Sequence, residues 1–118
     1  MAFRFRKFSV YQDAKALHKE VITVVNDFPR NYLYLADQIR RSSLSVVLNI
    51  AEGSSKQSDK DFNRYLTISL GSVDETIASL EIALDLKLIP SNSFSLFEDK
   101  YLSICRQLGG LSKKLKSS

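Results

Sequence analysis

Apolar residues recur at intervals of three and four along most of this chain, which is the spacing that lines one face of an α-helix. The chain contains no Asn-Gly or Asp-Gly pair and no sustained alternation of apolar and polar residues, so strand signals are nearly absent. The pattern predicts an all-α fold. Four amphipathic helices with short connections predict an antiparallel up-and-down four-helix bundle.

The first two predicted helices are bounded by clear breaking signals. The first runs from Ser9, a plausible N-cap, to about Asp27 and stops before Pro29. The second covers about residues 32–52, and Gly53 is expected to close it in the left-handed conformation that helix C-caps use.

The last two predicted helices lie on either side of Pro90. The third starts after Ser58, where Asp61 three residues later resembles a capping box. The fourth starts near residues 91–93 and continues to about Leu115. The whole chain, residues 1–118, is predicted to be one domain, with a basic arm over residues 1–8 and a tail over residues 113–118 that is prone to fraying.

The second predicted helix has an unusually wide apolar arc of about 200° at 100° per residue. Such a helix is either deeply buried or packed against both its own bundle and another subunit, and we favour oligomerisation over scattered surface apolar residues. Arg40 is the only charge inside the arc. The residues of the arc are Ile39, Ser43, Leu44, Val46, Val47, Leu48, Ile50 and Ala51.

A narrow polar stripe follows the other side of the same helix, and the third helix offers Ser69, Ser72 and Glu75 as partners. The stripe has three possible interpretations: a ligand cleft, a solvated face, or a hydrogen-bond network that fixes the register of the bundle. We favour the network or the solvated face over the ligand cleft; a buried stripe would need mutual hydrogen bonds, since unpaired buried polar groups are costly. The stripe consists of Gln38, Arg41, Ser45, Asn49 and Glu52.

The formal net charge of +4 and the pI near 9.3 favour anionic partners such as nucleic acid. In the arm, basic residues alternate with Phe3, Phe5 and Phe8; this suits either phosphate contact with base stacking, or an arm that buries its phenylalanines on the bundle. The candidate nucleic-acid-binding residues are Arg4, Arg6, Lys7, Arg40, Arg41, Lys56, Lys60 and Arg64.

The sequence gives little support for catalysis. His18 has no evident triad partners, and Cys105 has only Arg106 nearby as an activating group. We therefore predict no catalytic residues, no metal and no cofactor. A site joining Arg41, Asn49, Glu52 and Glu75 would revive an enzymatic interpretation. The single cysteine suits a reducing cytoplasm, and we expect neither a signal peptide nor a membrane span.

The run from Gln38 to Ser43, Ser45 and the block from Asn49 to Gly53 resemble the signature of the four-helix bundle protein family. Members of that family are also described as proteins encoded in intervening sequences of 23S ribosomal RNA genes. The resemblance continues through residues 62–66 and 71–75 and spans about residues 8–115. The residues that carry it, with structural roles expected, are Gln38, Arg41, Ser45, Asn49, Glu52, Gly53, Gly71, Ser72 and Glu75.

The resemblance implies an antiparallel four-helix bundle that forms a homo-oligomer, typically a barrel-shaped pentamer. The family is not known for catalysis. One branch resembles the accessory variability protein of diversity-generating retroelements, which binds nucleic acid and partners a reverse transcriptase. We therefore expect a non-enzymatic oligomer that binds RNA or DNA, with a protein-interaction scaffold as the alternative.

Overall fold

The computed structural model describes residues 3–117, and helices account for nearly all of them. The α-helices are α1 (Ser9–Val25), α2 (Leu33–Ser54), α3 (Asp59–Asp85) and α4 (Ser91–Ser117), with short 3₁₀ helices at Arg4–Lys7 and Arg30–Tyr32. The predicted all-α fold is confirmed. The arm is described from Phe3 onward, and α4 is helical to Ser117, so the predicted fraying of residues 113–118 stays a prediction about dynamics.

Polar contacts between helices show the antiparallel course of the chain. Along α2, Gln38 contacts Glu75 and Ser45 contacts Ser72, so the partners follow α3 in reverse order. In the same way, Ser9 and then Glu20 of α1 contact Gln107 and then Lys100 of α4. The molecule measures 46 × 23 × 19 Å. This elongated shape is expected for a bundle of aligned helices, since the longest helices have 27 residues and span about 40 Å. Each helix contributes one apolar stripe to a common core, which includes Val21, Ile39, Leu66, Leu80, Tyr101 and Ile104.

Two predicted caps are wrong. Ser9 is the first residue of α1 rather than its N-cap, a position that Phe8 occupies, and the Ser9 hydroxyl donates instead to Oε1 of Gln107 at 3.0 Å. Gly53 is not a left-handed cap, because α2 continues through it to Ser54 and Ser55 follows in right-handed conformation. The predicted cap of α3 is confirmed: Ser58 Oγ accepts the Asp61 N–H at 3.1 Å.

The end of α3 carries a feature that the sequence did not signal. Lys87 adopts a left-handed conformation with φ of 62°. The Lys87 N–H donates to the carbonyl of Leu84, and the Leu88 N–H donates to the carbonyl of Ala83, each at 2.9 Å. This is the hydrogen-bond pattern of a Schellman motif, in which glycine usually takes the left-handed position.

The interface between α2 and α3 is the most extensive in the bundle, and several of its buried positions hold small side chains. Ser69 Oγ donates to the Val46 carbonyl at 2.8 Å, and Thr76 Oγ1 lies 2.8 Å from Ser42 Oγ. All three hydroxyl-bearing residues are buried. Their hydrogen bonds satisfy the polar groups that close packing removes from water.

Gly53 allows the same interface to stay close at the end of α2. A Cβ atom at this position would lie 2.7 Å from Tyr65 Cβ and 3.0 Å from Phe62 Cδ1. Glycine is therefore required by the proximity of α3 rather than by its own backbone conformation.

We predict that Gly53→Ala lowers the free energy of unfolding by about 2 kcal/mol through overpacking, even though alanine favours helices more than glycine does. Urea denaturation measures the change. The matched control is Gly109→Ala, where nothing lies within 4 Å of the added methyl group, so stability should rise by up to about 1 kcal/mol. A stabilised Gly53→Ala protein would contradict the close-approach explanation.

The single histidine joins α1 to α2. Nδ1 of His18 lies 2.7 Å from Ser43 Oγ, and partial burial lowers the pKa of the ring below its usual value of 6.5. Since the folded protein disfavours the charged ring, the unfolded chain binds the proton more readily.

We predict that His18 stabilises the fold less as the pH falls below about 6.5, because the unfolded chain then takes up a proton that the folded protein resists. The free energy of unfolding should therefore drop more between neutral and mildly acidic pH in the wild type than in His18→Gln, which keeps a polar partner for Ser43. Equal drops in the two proteins would show that carboxylates alone govern this range.

Candidate nucleic-acid interface

The N-terminal arm, residues 3–8, packs against the beginning of α3. The Arg4 guanidinium lies 5.2 Å from the centre of the Phe62 ring and 5.8 Å from that of Phe8, and the two rings meet edge to face at 5.7 Å. Phe5 contacts Tyr11 in the same geometry at 4.8 Å. Phe5 and Phe8 are thus half-buried on the bundle, whereas Phe3 is 60% exposed.

The side chains of Lys56 and Arg64 both lie over the ring of Tyr65, one turn after Phe62 in α3. Lys56 Nζ lies 5.1 Å and the Arg64 guanidinium 5.0 Å from the centre of the Tyr65 ring. Lys56 also pairs with Glu52 at 3.8 Å and Arg64 with Asp61 at 3.7 Å. These ion pairs are long and solvent-exposed, so they bind the cations weakly and leave them available to an anion.

The structure gathers six of the eight predicted cations around the α2–α3 turn. Arg6 lies in the arm, with its guanidinium 5.1 Å from the Phe3 ring, and Lys7 follows it on the surface. Lys60 is exposed in the first turn of α3, one turn before Arg64. We call this group the basic end; it comprises Arg4, Arg6, Lys7, Lys56, Lys60 and Arg64.

Arg40 and Arg41 do not belong to the basic end. Arg41 precedes the last residue of α2 by thirteen positions, which corresponds to about 20 Å of helix. Arg40 is also engaged, since it donates to Asp37 Oδ1 at 2.8 Å and to Asn26 Oδ1 at 2.9 Å. Its role in the structure is to join the end of α1 to α2.

An open cleft of about 720 Å³ lies between the arm and the end of α2. Its volume is in the range of about 300–1,000 Å³ that is typical of ligand sites. Two cations and one carboxylate line it among apolar and hydroxyl groups. The lining residues are Phe3, Arg4, Phe5, Leu48, Ala51, Glu52, Ser54, Ser55 and Lys56.

Most of the family-motif polar residues form hydrogen bonds between or along α2 and α3. Gln38 donates to Glu75, Ser45 Oγ lies 2.7 Å from Ser72 Oγ, and Asn49 Nδ2 donates to the Ser45 carbonyl at 2.9 Å. We call these five residues the polar seam. Gln38, Ser45 and Asn49 are half-buried, so the seam is partly shielded from water.

The four residues whose convergence would support an enzymatic interpretation, Arg41, Asn49, Glu52 and Glu75, do not form a common site. Arg41 and Glu52 are both exposed and lie eleven residues apart on α2, which is about 16 Å. Asn49 and Glu75 are engaged in the polar seam instead. The four residues therefore follow a line and do not converge on a single point.

The wide apolar arc of α2 divides into two parts. Ile39, Val46 and Ile50 are fully buried in the bundle, whereas Leu44 and Leu48 are 41% and 53% exposed. Across the polar seam, α3 adds Ile68, which is 43% exposed. Leu44, Leu48, Ile68, Gly71 and Ile82 are referred to below as the outer face of the α2–α3 hairpin.

Cys105 is held in a less reactive form. Burial, and then the negative charge of Asp74, raise the pKa of the thiol above its usual value. Thiolate formation is correspondingly disfavoured, and the thiolate is the nucleophile in cysteine chemistry. Within residues 3–117, no three histidine, cysteine or acidic side chains are grouped so that they could hold a metal ion.

The family model of the 23S rRNA-intervening sequence protein matches residues 6–110, which includes nearly all of the bundle. The chain belongs to this family. The family description refers to a gene location and does not specify a reaction. A search of curated proteins gave no match. Across the described part of the chain, no helix is long and apolar enough to cross a membrane.

Proposed function

We propose that this protein is a non-enzymatic bundle that binds RNA or DNA through the basic end. The observation that supports the proposal is that the fold brings six cations from two separate sequence segments, residues 4–7 and 56–64, to one end of the molecule. Four of them lie over aromatic rings: Arg4, Arg6, Lys56 and Arg64. Cations with adjacent aromatic surface suit phosphate contact combined with base stacking.

The cations of the basic end should supply affinity mainly by releasing counterions from the phosphate backbone. Their own carboxylate neighbours, Glu52 and Asp61, are exposed and bound over 3.7–3.8 Å. Exchanging such a carboxylate for a phosphate costs little, since exposed ion pairs contribute at most about 1 kcal/mol.

We predict that the triple variant Arg4→Glu, Lys56→Glu, Arg64→Glu binds RNA and DNA much more weakly than the wild type, while its helical circular dichroism is unchanged. Titration of labelled single strands and duplexes across a salt series measures the effect. The slope of log affinity against log salt should fall by about 2 to 3, because each lost phosphate contact contributes about 0.7 to 0.9.

The matched control reverses the same number of charges elsewhere on the surface: Lys19→Glu, Arg30→Glu, Arg106→Glu. All three residues are exposed and lie outside the basic end. This control should keep the salt slope of the wild type. Equal losses in both triple variants would mean that only net charge matters, and unchanged binding by the first variant would refute the proposal.

We also propose that the protein assembles with copies of itself through the outer face. Leu44 and Ile68 expose apolar surface beside the polar seam, and Gly71 lies in the middle of α3, where a methyl group on its Cα would have nothing within 4 Å. A mid-helix glycine costs about 1 kcal/mol relative to alanine, and the subunit itself does not need it. Close approach of a second subunit would explain it, and the resemblance makes a pentamer the expected state.

We predict that Gly71→Leu yields a folded monomer or a smaller oligomer, because the larger side chain keeps a second subunit away. Size-exclusion chromatography with light scattering measures the mass. The matched control is Gly110→Leu, an equally open glycine within α4, which should keep the assembly of the wild type. Identical masses for all three proteins would exclude Gly71 from any subunit contact.

A second candidate function is a protein-interaction scaffold without affinity for nucleic acid, which the exposed apolar outer face favours. A reverse transcriptase is the partner that the resemblance suggests. A stoichiometric complex that survives high salt, together with no RNA or DNA binding at low salt, would support this candidate. The single cysteine makes the cytoplasm our proposed location.

A further inference from the structure

We propose that the cleft between the arm and the end of α2 holds one unpaired nucleotide of a nucleic-acid strand. This inference rests on the proposed function and specifies it further: the basic end binds strands, and the cleft selects those that have a free base. The argument combines the apolar floor of the cleft, the position of its two cations and the conformation of Phe3.

The floor of the cleft can receive a flat aromatic group. Leu48 and Ala51 lie one turn apart on the same side of α2, and the rings of Phe3 and Phe5 stand opposite them in the arm. The two rings meet edge to face, with 6.0 Å between their centres. A base inserted here would contact apolar and aromatic surface, as bases do in proteins that bind single strands.

The charges around the cleft determine the orientation of the nucleotide. The cleft adjoins the C-terminal end of α2, where the helix dipole is negative, so the phosphate must be held by the side chains of Arg4 and Lys56. The base then lies nearer to the helix end. There, the Glu52 carboxylate can accept hydrogen bonds from amino groups of a base or from a ribose hydroxyl.

The hydroxyl groups at the helix end fit the same orientation. Ser54 Oγ donates to the Ala51 carbonyl and Ser55 Oγ donates to the Glu52 carbonyl, each at 2.7 Å. Ser54 is buried, whereas Ser55 is exposed; because its hydrogen is used, the Ser55 oxygen remains as an acceptor that a ligand can reach. The helix end of the cleft therefore offers acceptors to the donors of a base, while the two cations face the phosphate.

Phe3 is held in place at an energetic cost. Its backbone is left-handed, with φ of 65°, a conformation that a bulky residue without a functional or structural reason seldom adopts. The Arg6 guanidinium lies 5.1 Å from the centre of its ring. An exposed ring that is fixed in this way is pre-organised for stacking, which lowers the entropy that binding would otherwise lose.

The test fills the cleft without changing any charge. Ala51→Phe should weaken binding of a short unstructured RNA or DNA strand by about tenfold, the loss expected for one base–aromatic stack. Binding of inorganic polyphosphate, which has no bases, should stay as in the wild type. Phe3→Ala is a second variant that carries little folding risk, since the ring is exposed, and it should show the same selective loss.

The matched control is Ala78→Phe, which introduces the same side chain at an exposed position of α3 outside the cleft and should keep single-strand affinity. Thermal unfolding confirms that each variant is folded. The nucleotide site is overturned, while the proposed function stands, if both cleft variants bind the strand as tightly as the wild type does. The same conclusion follows if they lose affinity for the strand and for polyphosphate equally. A wild type that binds neither strand nor duplex at low salt would overturn both.

Discussion

The close approach of α2 and α3 is the constraint on which the rest of this structure depends. Gly53 leaves room for Phe62 and Tyr65, and the buried hydroxyls of Ser69 and Thr76 replace larger apolar groups. The same proximity brings the end of α2 against the ring-bearing start of α3, where the arm then docks. The basic end therefore depends on packing that involves no charge at all.

The sequence predicted the fold well, since periodicity and prolines mark helices directly. The prediction failed where a residue can be explained either by its own backbone conformation or by packing against a neighbouring helix. A glycine near a helix end suggests a cap, but Gly53 is required by a neighbouring helix, and Lys87 takes the left-handed role that a glycine normally fills. Ser9 shows the same limit, because its hydroxyl reaches α4 rather than its own backbone.

The candidate site was only partly predictable. Charge clusters were visible along the chain, but whether they meet depends on how the arm folds back on the bundle. In the sequence, Arg40 resembles the other candidate cations, but its hydrogen bonds to Asp37 and Asn26 give it a structural role. The cleft itself had no sequence signal, since Leu48 and Ala51 read as ordinary positions of an apolar arc.

One wall of the cleft is formed by the arm, and the other by a helix of the bundle. The arm residues Phe3 and Arg4 are exposed and contribute nothing to the buried core. The side chains of Phe3 and Arg4 therefore shape the cleft without forming part of the packing that determines the fold. A substitution at Phe3 or Arg4 can therefore change what the cleft accepts, while the packing of the four helices stays as it is.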